Sequence, residues 1–247
     1  MLREQMQLSG RPLEGLFMNG PGADLVEMAG LAHFDFVVLD GEHGAVWPVL
    51  PELIRAARFR EVAAIVRVPK TRPEAMSQVM DWGADGVLVP AVRETTEIQR
   101  AVSAVRYPPE GERGLATSVA AADYGWKGAA YLSESRRKAL VWVQVETVEA
   151  LGALDTWATL PGVDLFFVGP HDLSMALGEE GHPGPRFEEA MQAIVGTLRG
   201  RKPWGIFAGA AAERRHWESV GAMAVATSVP SMLRQGIAAW RGGNQHG

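Results

Sequence analysis

The sequence contains no cysteine and only four lysines among its 247 residues. The absence of cysteine excludes disulfide bonds, thiolate zinc sites and cysteine nucleophiles. No block of basic residues is present and the formal net charge is −5, which argues against nucleic acid as a partner. No apolar run reaches the roughly 18 residues that a membrane-spanning helix needs, and the first residues lack a signal-peptide pattern. We therefore expect a cytoplasmic protein with no membrane contact.

What the sequence does contain is a regular alternation of short apolar runs with longer amphipathic stretches. The apolar runs cover residues 15–18, 34–39, 63–68, 86–89, 139–145, 164–168, 204–207 and 222–226. The amphipathic stretches cover residues 22–31, 47–59, 72–82, 94–105, 147–160, 186–199, 210–220 and 231–240. Such apolar runs are typical of strands buried on both faces of a parallel sheet. Eight strand–helix units favour a (β/α)8 TIM barrel that forms a single domain over residues 1–247.

The connections between the runs carry two further indications. No Gly-x-Gly-x-x-Gly turn follows the first run, so a dinucleotide-binding fold is not predicted and we expect no nucleotide cofactor. One connection, residues 107–137 between the fourth and fifth strands, is long and rich in glycine and alanine. Loops of this length are usually functional or mobile.

The side chains that can carry chemistry cluster directly after the predicted strands. In a (β/α)8 barrel the active site lies at the carboxyl ends of the strands. The polar residues at these ends are Asp40, Glu42 and His43 after strand two, Arg67 after strand three, Gln144 and Glu146 after strand five, and His171 and Asp172 after strand six. Acids, a histidine and one arginine are thus predicted to converge on a single rim.

Two acids of this rim suggest a divalent metal site. Glu146 and Asp172, with Gln144 nearby, offer hard oxygen ligands suited to Mg²⁺, Mn²⁺ or Co²⁺. Each acid has an alternative explanation, because Asp172 can be a helix N-cap and Glu146 a first-turn acid favoured by the helix dipole. Their joint position on adjacent strands favours the metal.

Arg67 and His43 are candidate catalytic residues on the same rim. Arg67 ends an apolar strand, where a charge is costly unless it is paired, and it can bind a carboxylate or a developing enolate oxygen. An ion pair with Asp40 or Glu42 is the alternative, and both roles can coexist. His43 can move protons near neutral pH, although a histidine in a loop is more often a surface residue.

Several other residues are candidates for substrate contact. Gly169 and Pro170 precede a helix start whose N–H groups can hold an anion. His171 lies on the rim, where it can contact substrate or be a surface residue. Trp47 follows the His43 loop and is predicted to wall the site. Arg113 can bind a substrate anion or belong to a solvated turn.

Taken together, these segments resemble the metal-dependent, class II pyruvate aldolases of the HpcH/HpaI family. The segments that carry the resemblance include FVVLDGEH at 36–43, VRVP at 66–69, DWGA at 81–84, GERG at 111–114, VQVET at 143–147 and VGPHDLS at 168–174. The resemblance implies a carbon–carbon lyase that cleaves 4-hydroxy-2-oxo acids reversibly to pyruvate, or hydroxypyruvate, and an aldehyde. It also implies a metal-stabilised enolate as the intermediate.

The resemblance further implies a role for each matching residue. Glu146 and Asp172 match the metal ligands, and Gln144 matches a residue near the metal. Arg67 matches the arginine that binds the keto oxygen and enolate of pyruvate.

The resemblance also implies an assembly. His43 matches the catalytic histidine, and Asp81 matches its partner, which a neighbouring subunit supplies. Asp81 lies near the end of the predicted third helix, which runs away from the rim, so it is not expected to reach His43 of its own chain. A homo-oligomer is therefore expected, typically a hexamer, with the C-terminal helix exchanged between subunits.

Three other functions compete with this one. A Schiff-base aldolase needs a lysine in the site, but Lys138 and Lys202 lie at the wrong ends of strands and Lys70 and Lys127 in loops. A CoA-ester lyase of the citrate-lyase type shares the metal chemistry but needs a nucleotide-binding surface, and the sequence shows no segment that would form one. A non-catalytic barrel protein has no need for an arginine and two acids that converge on one rim.

Overall fold

The eight apolar runs form parallel strands, and the first strand also pairs with the eighth, so the sheet closes into a barrel. The computed structural model describes residues 1–8, 10–69 and 72–242. The strands are β1 (Leu13–Met18), β2 (Phe36–Asp40), β3 (Ala63–Arg67), β4 (Gly86–Val89), β5 (Leu140–Val145), β6 (Leu165–Val168), β7 (Trp204–Phe207) and β8 (Ala224–Ser228). The predicted (β/α)8 barrel is confirmed.

Helices follow the strands and form an outer layer around the barrel. They are α1 (Leu2–Leu8), α2 (Ala23–Leu31), α3 (Leu50–Phe59), α4 (Pro73–Trp82), α5 (Thr95–Val105), α6 (Ala130–Lys138), α7 (Val148–Trp157), α8 (Pro170–Ala176), α9 (Pro185–Leu198), α10 (Ala211–Val220) and α11 (Val229–Trp240). Local sequence explains where several of them begin and end. Glu94 and Glu97 form a capping box at the start of α5, and α4 ends at Gly83, whose φ of 104° suits glycine.

The barrel interior is filled by large side chains. Phe36, Trp142 and Phe167 are fully buried, and the rings of Trp142 and Phe167 stack with their centroids 6.2 Å apart. At the amino ends of the strands, α1 inserts Leu2 into the same apolar cluster. The barrel is therefore a packed core rather than a pore, and cavities that lead to the strand ends open at the rim.

The connection between α5 and β5 is more ordered than the sequence predicted. It contains a 3₁₀ helix at Ala120–Gly125 and then α6. Tyr107, Ala122 and Tyr131 form a small buried cluster beneath it, separate from the main core. The low helical propensity of its glycine-rich parts concealed these elements, because long-range packing rather than local preference holds them.

The last helix, α11, leaves the surface of the barrel after its first turn. Ser231 is buried, but Met232, Leu233, Ile237 and Trp240 are exposed, and Trp240 is 90% exposed. Beside β8, a groove of about 200 Å³ lies between α10 and β1, and Met232 and Gln235 of the first half of α11 line it together with residues such as Val225 and Arg214. The start of α11 therefore contacts its own barrel, whereas the later apolar residues of the helix are exposed. Within the part of the chain that the structure describes, no helix has the length and apolarity needed to cross a membrane.

Candidate active site

Four of the predicted rim residues, Glu42, His43, Glu146 and Asp172, line a cavity of about 550 Å³ at the carboxyl ends of the strands. Its lining includes Glu42, His43, Ala91, Arg93, Glu146, Thr147, Glu149, Asp172 and Met175. The side chains reach this end because alternate residues of a strand point to the same face, so Gln144 follows Trp142 on the interior side of β5. Acidic side chains from loops after three different strands therefore meet at one cavity.

Glu146 is the most constrained acid of the cavity. Its Oε1 accepts the backbone N–H of Ala91 at 2.6 Å, and its Oε2 accepts Nε2 of Gln144 at 2.6 Å. Ala91 adopts a left-handed conformation with φ of 48°, which is uncommon for a residue other than glycine. Burial, with a smaller contribution from the negative charge of Asp172, raises the pKa of Glu146 to about 7. A group that prefers to be neutral in isolation is suited to a site where a cation compensates its charge.

The surroundings of Glu146 fit a hard divalent cation. Oε1 of Gln144 is buried without a hydrogen-bond partner, and an amide oxygen is a ligand that Mg²⁺ and Mn²⁺ accept. Gly169 leaves space beside the carboxylate, since a Cβ there would lie 2.6 Å from Oε2 of Glu146. Among the described residues no group of three or more His, Cys, Asp or Glu side chains is arranged to hold a metal ion, so Glu146 and Asp172 are a pair of acids rather than a complete ligand set. The oxygen donors of Glu146, Asp172 and Gln144 match that chemistry.

Arg67 forms a buried ion pair with Asp40, its neighbour in the register of β2 and β3. Nε donates to Oδ1 at 2.8 Å and Nη2 donates to Oδ2 at 2.7 Å. Burial alone would raise the pKa of Asp40, but the hydrogen bonds and charge of Arg67 outweigh it and hold the pKa below its ordinary value. The alternative explanation of Arg67 as a partner of Asp40 is confirmed, and the fork still has further N–H groups beyond the two that Asp40 uses.

The loop after β2 carries Glu42 and His43 into the cavity. Nε2 of His43 lies 3.5 Å from Oε2 of Glu42, and the imidazole is largely exposed. The backbone N–H groups of both residues donate to Oδ1 of Asp40 at 3.2 Å, which fixes the turn. Burial raises the pKa of Glu42, opposed by the charges of Arg67 and His43. His43 therefore lies at the open side of the site, where a group from outside the chain can reach it.

The segment after β6 begins α8 at Pro170, with Gly169 as its N-cap. The alternative that Asp172 is an N-cap is therefore wrong, because Asp172 lies in the first turn of the helix. Glu146 is not a first-turn acid either, since it precedes Thr147, the N-cap of α7. Both acids are thus placed at the rim by strand ends rather than by the needs of a helix.

Pro170 and His171 face a second cavity of about 670 Å³ on the side of β7 and β8. Nδ1 of His171 lies 3.0 Å from the backbone oxygen of Gly181, and its ring packs near Phe207. His171 is exposed and is not among the residues that line the first cavity.

Trp47 was predicted to wall the site, but it is not among the residues that line the cavity. Its ring packs edge-on against Trp82 with centroids 6.1 Å apart, and it supports Gly41 from behind, where a Cβ would lie 3.0 Å from the indole. Because Gly41 carries the chain from Asp40 into the His43 loop, Trp47 contributes to the site by fixing that loop.

Asp81 and Arg113 contact each other, and Arg113 lines a pocket with Ala84 and Ala139, near the amino ends of β4 and β5. Asp81 is near the end of α4, and Nη2 of Arg113 donates to its Oδ1 at 2.5 Å. Arg113 is buried, so it does not belong to a solvated turn, and its charge is matched by Asp81 rather than left for a substrate anion. Asp81 is not among the residues that line the cavity beside His43.

The lysines that the structure describes do not reach the site. Nζ of Lys138 pairs with Asp85 at 2.8 Å, and Nζ of Lys202 donates to the oxygen of Val163, both at the amino ends of strands. Lys127 lies in the connection before α6. Lys70 lies outside the described residues.

Two residues that hold the carboxylates of the site by hydrogen bonds, Asn19 and Ala91, were not predicted. Asn19 directly follows β1, and its Nδ2 donates to Oδ2 of Asp40 at 2.7 Å. Its place after a strand end was a usable signal. Ala91 acts through its backbone N–H, which no side-chain pattern reveals.

Comparison with known proteins supports the resemblance to the HpcH/HpaI family. A family model described as HpcH/HpaI aldolase/citrate lyase matches residues 13–233. A 5-keto-4-deoxy-D-glucarate aldolase from Shigella boydii serotype 18 (strain CDC 3083-94 / BS512) is 37% identical over 204 residues, 81% of this chain and 79% of that protein. An HpcH/HpaI aldolase/citrate lyase family protein from Burkholderia cenocepacia J2315 superposes with a TM-score of 0.89 at 29% identity, over 97% of this chain and 98% of that one. The HpcH/HpaI aldolase of Desulfitobacterium hafniense DCB-2 gives 0.88 at 26% identity, over 98% and 95%. The chain is a carbon–carbon lyase and belongs to the HpcH/HpaI aldolase/citrate lyase family.

Proposed function

We propose that this chain is a metal-dependent aldolase that cleaves 4-hydroxy-2-oxo acids to pyruvate, or hydroxypyruvate, and an aldehyde in the cytoplasm. The observation that carries the proposal is that Glu146 and Asp172 line one cavity with Glu42, whose Oε2 lies 3.5 Å from Nε of Arg67. The relatives named as 5-keto-4-deoxy-D-glucarate aldolases support a deoxy keto sugar acid as the substrate. The family match supports dependence on a divalent cation.

Glu146 and Asp172 would hold the cation, with the oxygen of Gln144 beside them. When bound, a divalent cation such as Mg²⁺, Mn²⁺ or Co²⁺ supplies Lewis acidity toward the carboxylate and keto oxygens of a 2-oxo acid. The hydrogen bonds from Ala91 and Gln144 fix the carboxylate of Glu146 in advance. Preorganised ligands of this kind reduce the cost of ordering the site when the substrate arrives.

Arg67 is the group of this chain that stabilises negative charge on the substrate. Asp40 holds the guanidinium in one orientation from below, and Asn19 in turn donates to the carboxylate of Asp40. Its remaining N–H groups are assigned to the keto oxygen, where charge develops as the carbon–carbon bond breaks. His43, at the open side, is assigned to the 4-hydroxyl group, whose proton must leave when that bond breaks.

The proposal includes a homo-oligomer, with a hexamer as the expected state. Asp81 would approach His43 of a neighbouring subunit and orient its imidazole. The exposed apolar face of α11, with Leu233, Ile237 and Trp240, supports exchange of this helix between subunits. Exchange would cover this face and so remove an apolar patch of the kind that monomers rarely expose.

Deuterium exchange into the methyl group of pyruvate tests the core chemistry without knowledge of the aldehyde. The enzyme is stripped with EDTA and then assayed in D₂O with added Mn²⁺ or Mg²⁺. We expect exchange only with metal, and its loss in Glu146→Gln, which keeps the shape of the side chain but removes its charge. If neither pyruvate nor hydroxypyruvate exchanges with any of these metals, the proposed function is wrong, and the CoA-ester lyase becomes the next function to assay.

A further inference from the structure

The carboxylate of Asp81 is held by a buried arginine that the connection between α5 and β5 supplies. Nη2 of Arg113 donates to Oδ1 of Asp81, and the Arg113 side chain is only 1% exposed. The Asp81 side chain is 28% exposed, so part of its carboxylate still faces outward. One oxygen is thus fixed from inside the subunit while the group remains open to contact from outside.

Two tyrosines hold the guanidinium of Arg113 in place. The Arg113 guanidinium carbon lies 4.6 Å from the centroid of the Tyr107 ring, and its Nη2 also lies 3.3 Å from the hydroxyl of Tyr131. The two tyrosine hydroxyls are 2.9 Å apart. Aromatic rings stabilise a desolvated cation on their faces and restrict its movement. The arginine is therefore a rigid donor rather than a flexible surface side chain.

The backbone around Arg113 is also anchored. Its N–H donates to the oxygen of Arg106 at 3.0 Å, and that of Glu112 donates to the oxygen of Ser103 at 2.8 Å. Gly111 has no space for a side chain, because a Cβ would lie 2.5 Å from the oxygen of Arg106. These contacts join the connection to the end of α5, so the position of Arg113 is set by the barrel itself.

A second arginine attaches the same connection without contact to Asp81. Nη1 of Arg58 donates to the oxygen of Ala120 at 2.7 Å, and its Nη2 donates to Oδ1 of Asp123 at 2.6 Å. Arg58 therefore attaches the connection by contacts other than the one between Arg113 and Asp81, and it serves as a comparison for that contact.

We propose that Arg113 is a positioning residue for catalysis, which fixes one carboxylate oxygen of Asp81 so that the other is presented in a defined direction to the catalytic histidine of a neighbouring subunit. This inference rests on the proposed function, in which Asp81 orients His43. An aspartate that orients an imidazole must itself be held, since a freely rotating carboxylate does not select one tautomer or one ring orientation. Arginine suits the task because it stays charged at all physiological pH values and its N–H groups have fixed directions.

The test compares kcat and KM for aldol cleavage in the intact oligomer of Asp81→Asn, Arg113→Met, Arg113→Lys and the Asp81→Asn/Arg113→Met double variant. Arg58→Met is the matched control for loss of an attachment of the connection. We expect Arg113→Met to lower kcat by at least ~10-fold with little change in KM, because proton transfer rather than substrate binding is affected. The double variant should be no slower than Asp81→Asn, since both changes remove one function.

Added guanidinium ion should restore part of the activity of Arg113→Met and none of that of Asp81→Asn. Should Arg113→Met fail to fold, Tyr131→Phe takes its place, since it removes the hydroxyl beside Nη2 and should lower kcat less. A wild-type kcat in Arg113→Met, losses that add fully in the double variant, or an equal loss in Arg58→Met would each overturn the inference alone. Absence of pyruvate exchange and cleavage in the wild-type enzyme would overturn the proposed function and this inference together.

Discussion

Arg67 and Asp40 face each other across the register of β2 and β3 with both carboxylate oxygens engaged, at 2.8 and 2.7 Å. Asp40 is fully buried and also receives Asn19 and two backbone N–H groups. The buried charge of Asp40 is tolerated because each of its two carboxylate oxygens accepts at least two hydrogen bonds. The ion pair therefore holds the guanidinium of Arg67 in one position at the rim before any substrate or metal ion binds.

Asp40→Asn should destabilise the protein strongly, because it leaves the buried guanidinium of Arg67 with only the longer contact to Glu42, at 3.5 Å, as a charged partner. Loss of one partner of a buried pair costs about 3–5 kcal/mol. Urea unfolding of the metal-free protein measures the change. Asp155→Asn, which breaks the exposed pair with Arg201, is the control and should leave the midpoint almost unchanged. Equal midpoints for the two variants would show that the buried pair is not stabilising.

Glu146 predicts how the stability of the metal-free protein depends on pH. Its folded-state pKa of about 7 lies above the ordinary 4.5, so the folded state binds this proton more tightly than the unfolded state. The contribution is fully present below pH 4.5, is lost as the pH rises through 7, and amounts to about 3 kcal/mol. The free energy of unfolding should therefore fall between pH 5 and pH 8 in the wild type relative to Glu146→Gln.

Saturating Mn²⁺ is the control for this pH effect. Because the ion binds the charged carboxylate in the folded state, it should recover stability at pH 8 in the wild type but not in Glu146→Gln. Parallel pH profiles of the two metal-free proteins would contradict the prediction.

Gly169→Ala should weaken metal binding without unfolding the protein. The new Cβ would lie 2.6 Å from Oε2 of Glu146 and 3.0 Å from Nε2 of Gln144, so the carboxylate must move. We expect roughly a tenfold or larger increase in the Kd for Mn²⁺, measured by calorimetry. Gly152→Ala, in α7, has open space around its Cβ and should leave the Kd unchanged. Unaltered Mn²⁺ affinity in Gly169→Ala would mean that Glu146 is not a ligand.

Leu233→Glu should reduce the size of the assembly. Leu233 is 61% exposed on the apolar face of α11, and a charge there would have to be buried if another subunit covers that face. Sedimentation velocity measures the distribution of species, and Leu233→Met, which keeps the face apolar, serves as the control. A wild-type assembly in Leu233→Glu would rule out burial of this face between subunits.

The barrel itself could be predicted because its strands leave a direct signature in the sequence. Residues 140–145 and 165–168 are buried on both faces, so their apolar runs are nearly continuous. The boundaries were less accurate, and β8 extends to Ser228 rather than ending at residue 226. Strand ends depend on backbone pairing with β1, which composition does not encode.

The candidate site could be predicted as far as side chains at strand ends reveal it. Glu146 and Arg67 lie where a (β/α)8 barrel requires its active site. Arg113 was not assigned to Asp81, because the two come together only after the connection folds over Tyr107 and Tyr131. Such contacts join segments about thirty residues apart through tertiary packing, and no periodic pattern of apolar residues in the sequence predicts them.

The filled interior of the barrel has a kinetic consequence. Trp142, Phe167 and Leu2 block the axis, so the rim serves as both entrance and exit for every reactant. Under the proposed function, cleavage yields two molecules that leave through the same opening. The 2-oxo acid would lie against Arg67 and the ligands of the cation, whereas the aldehyde would form nearer the opening. We expect an ordered sequence, in which the aldehyde departs first and the 2-oxo acid last.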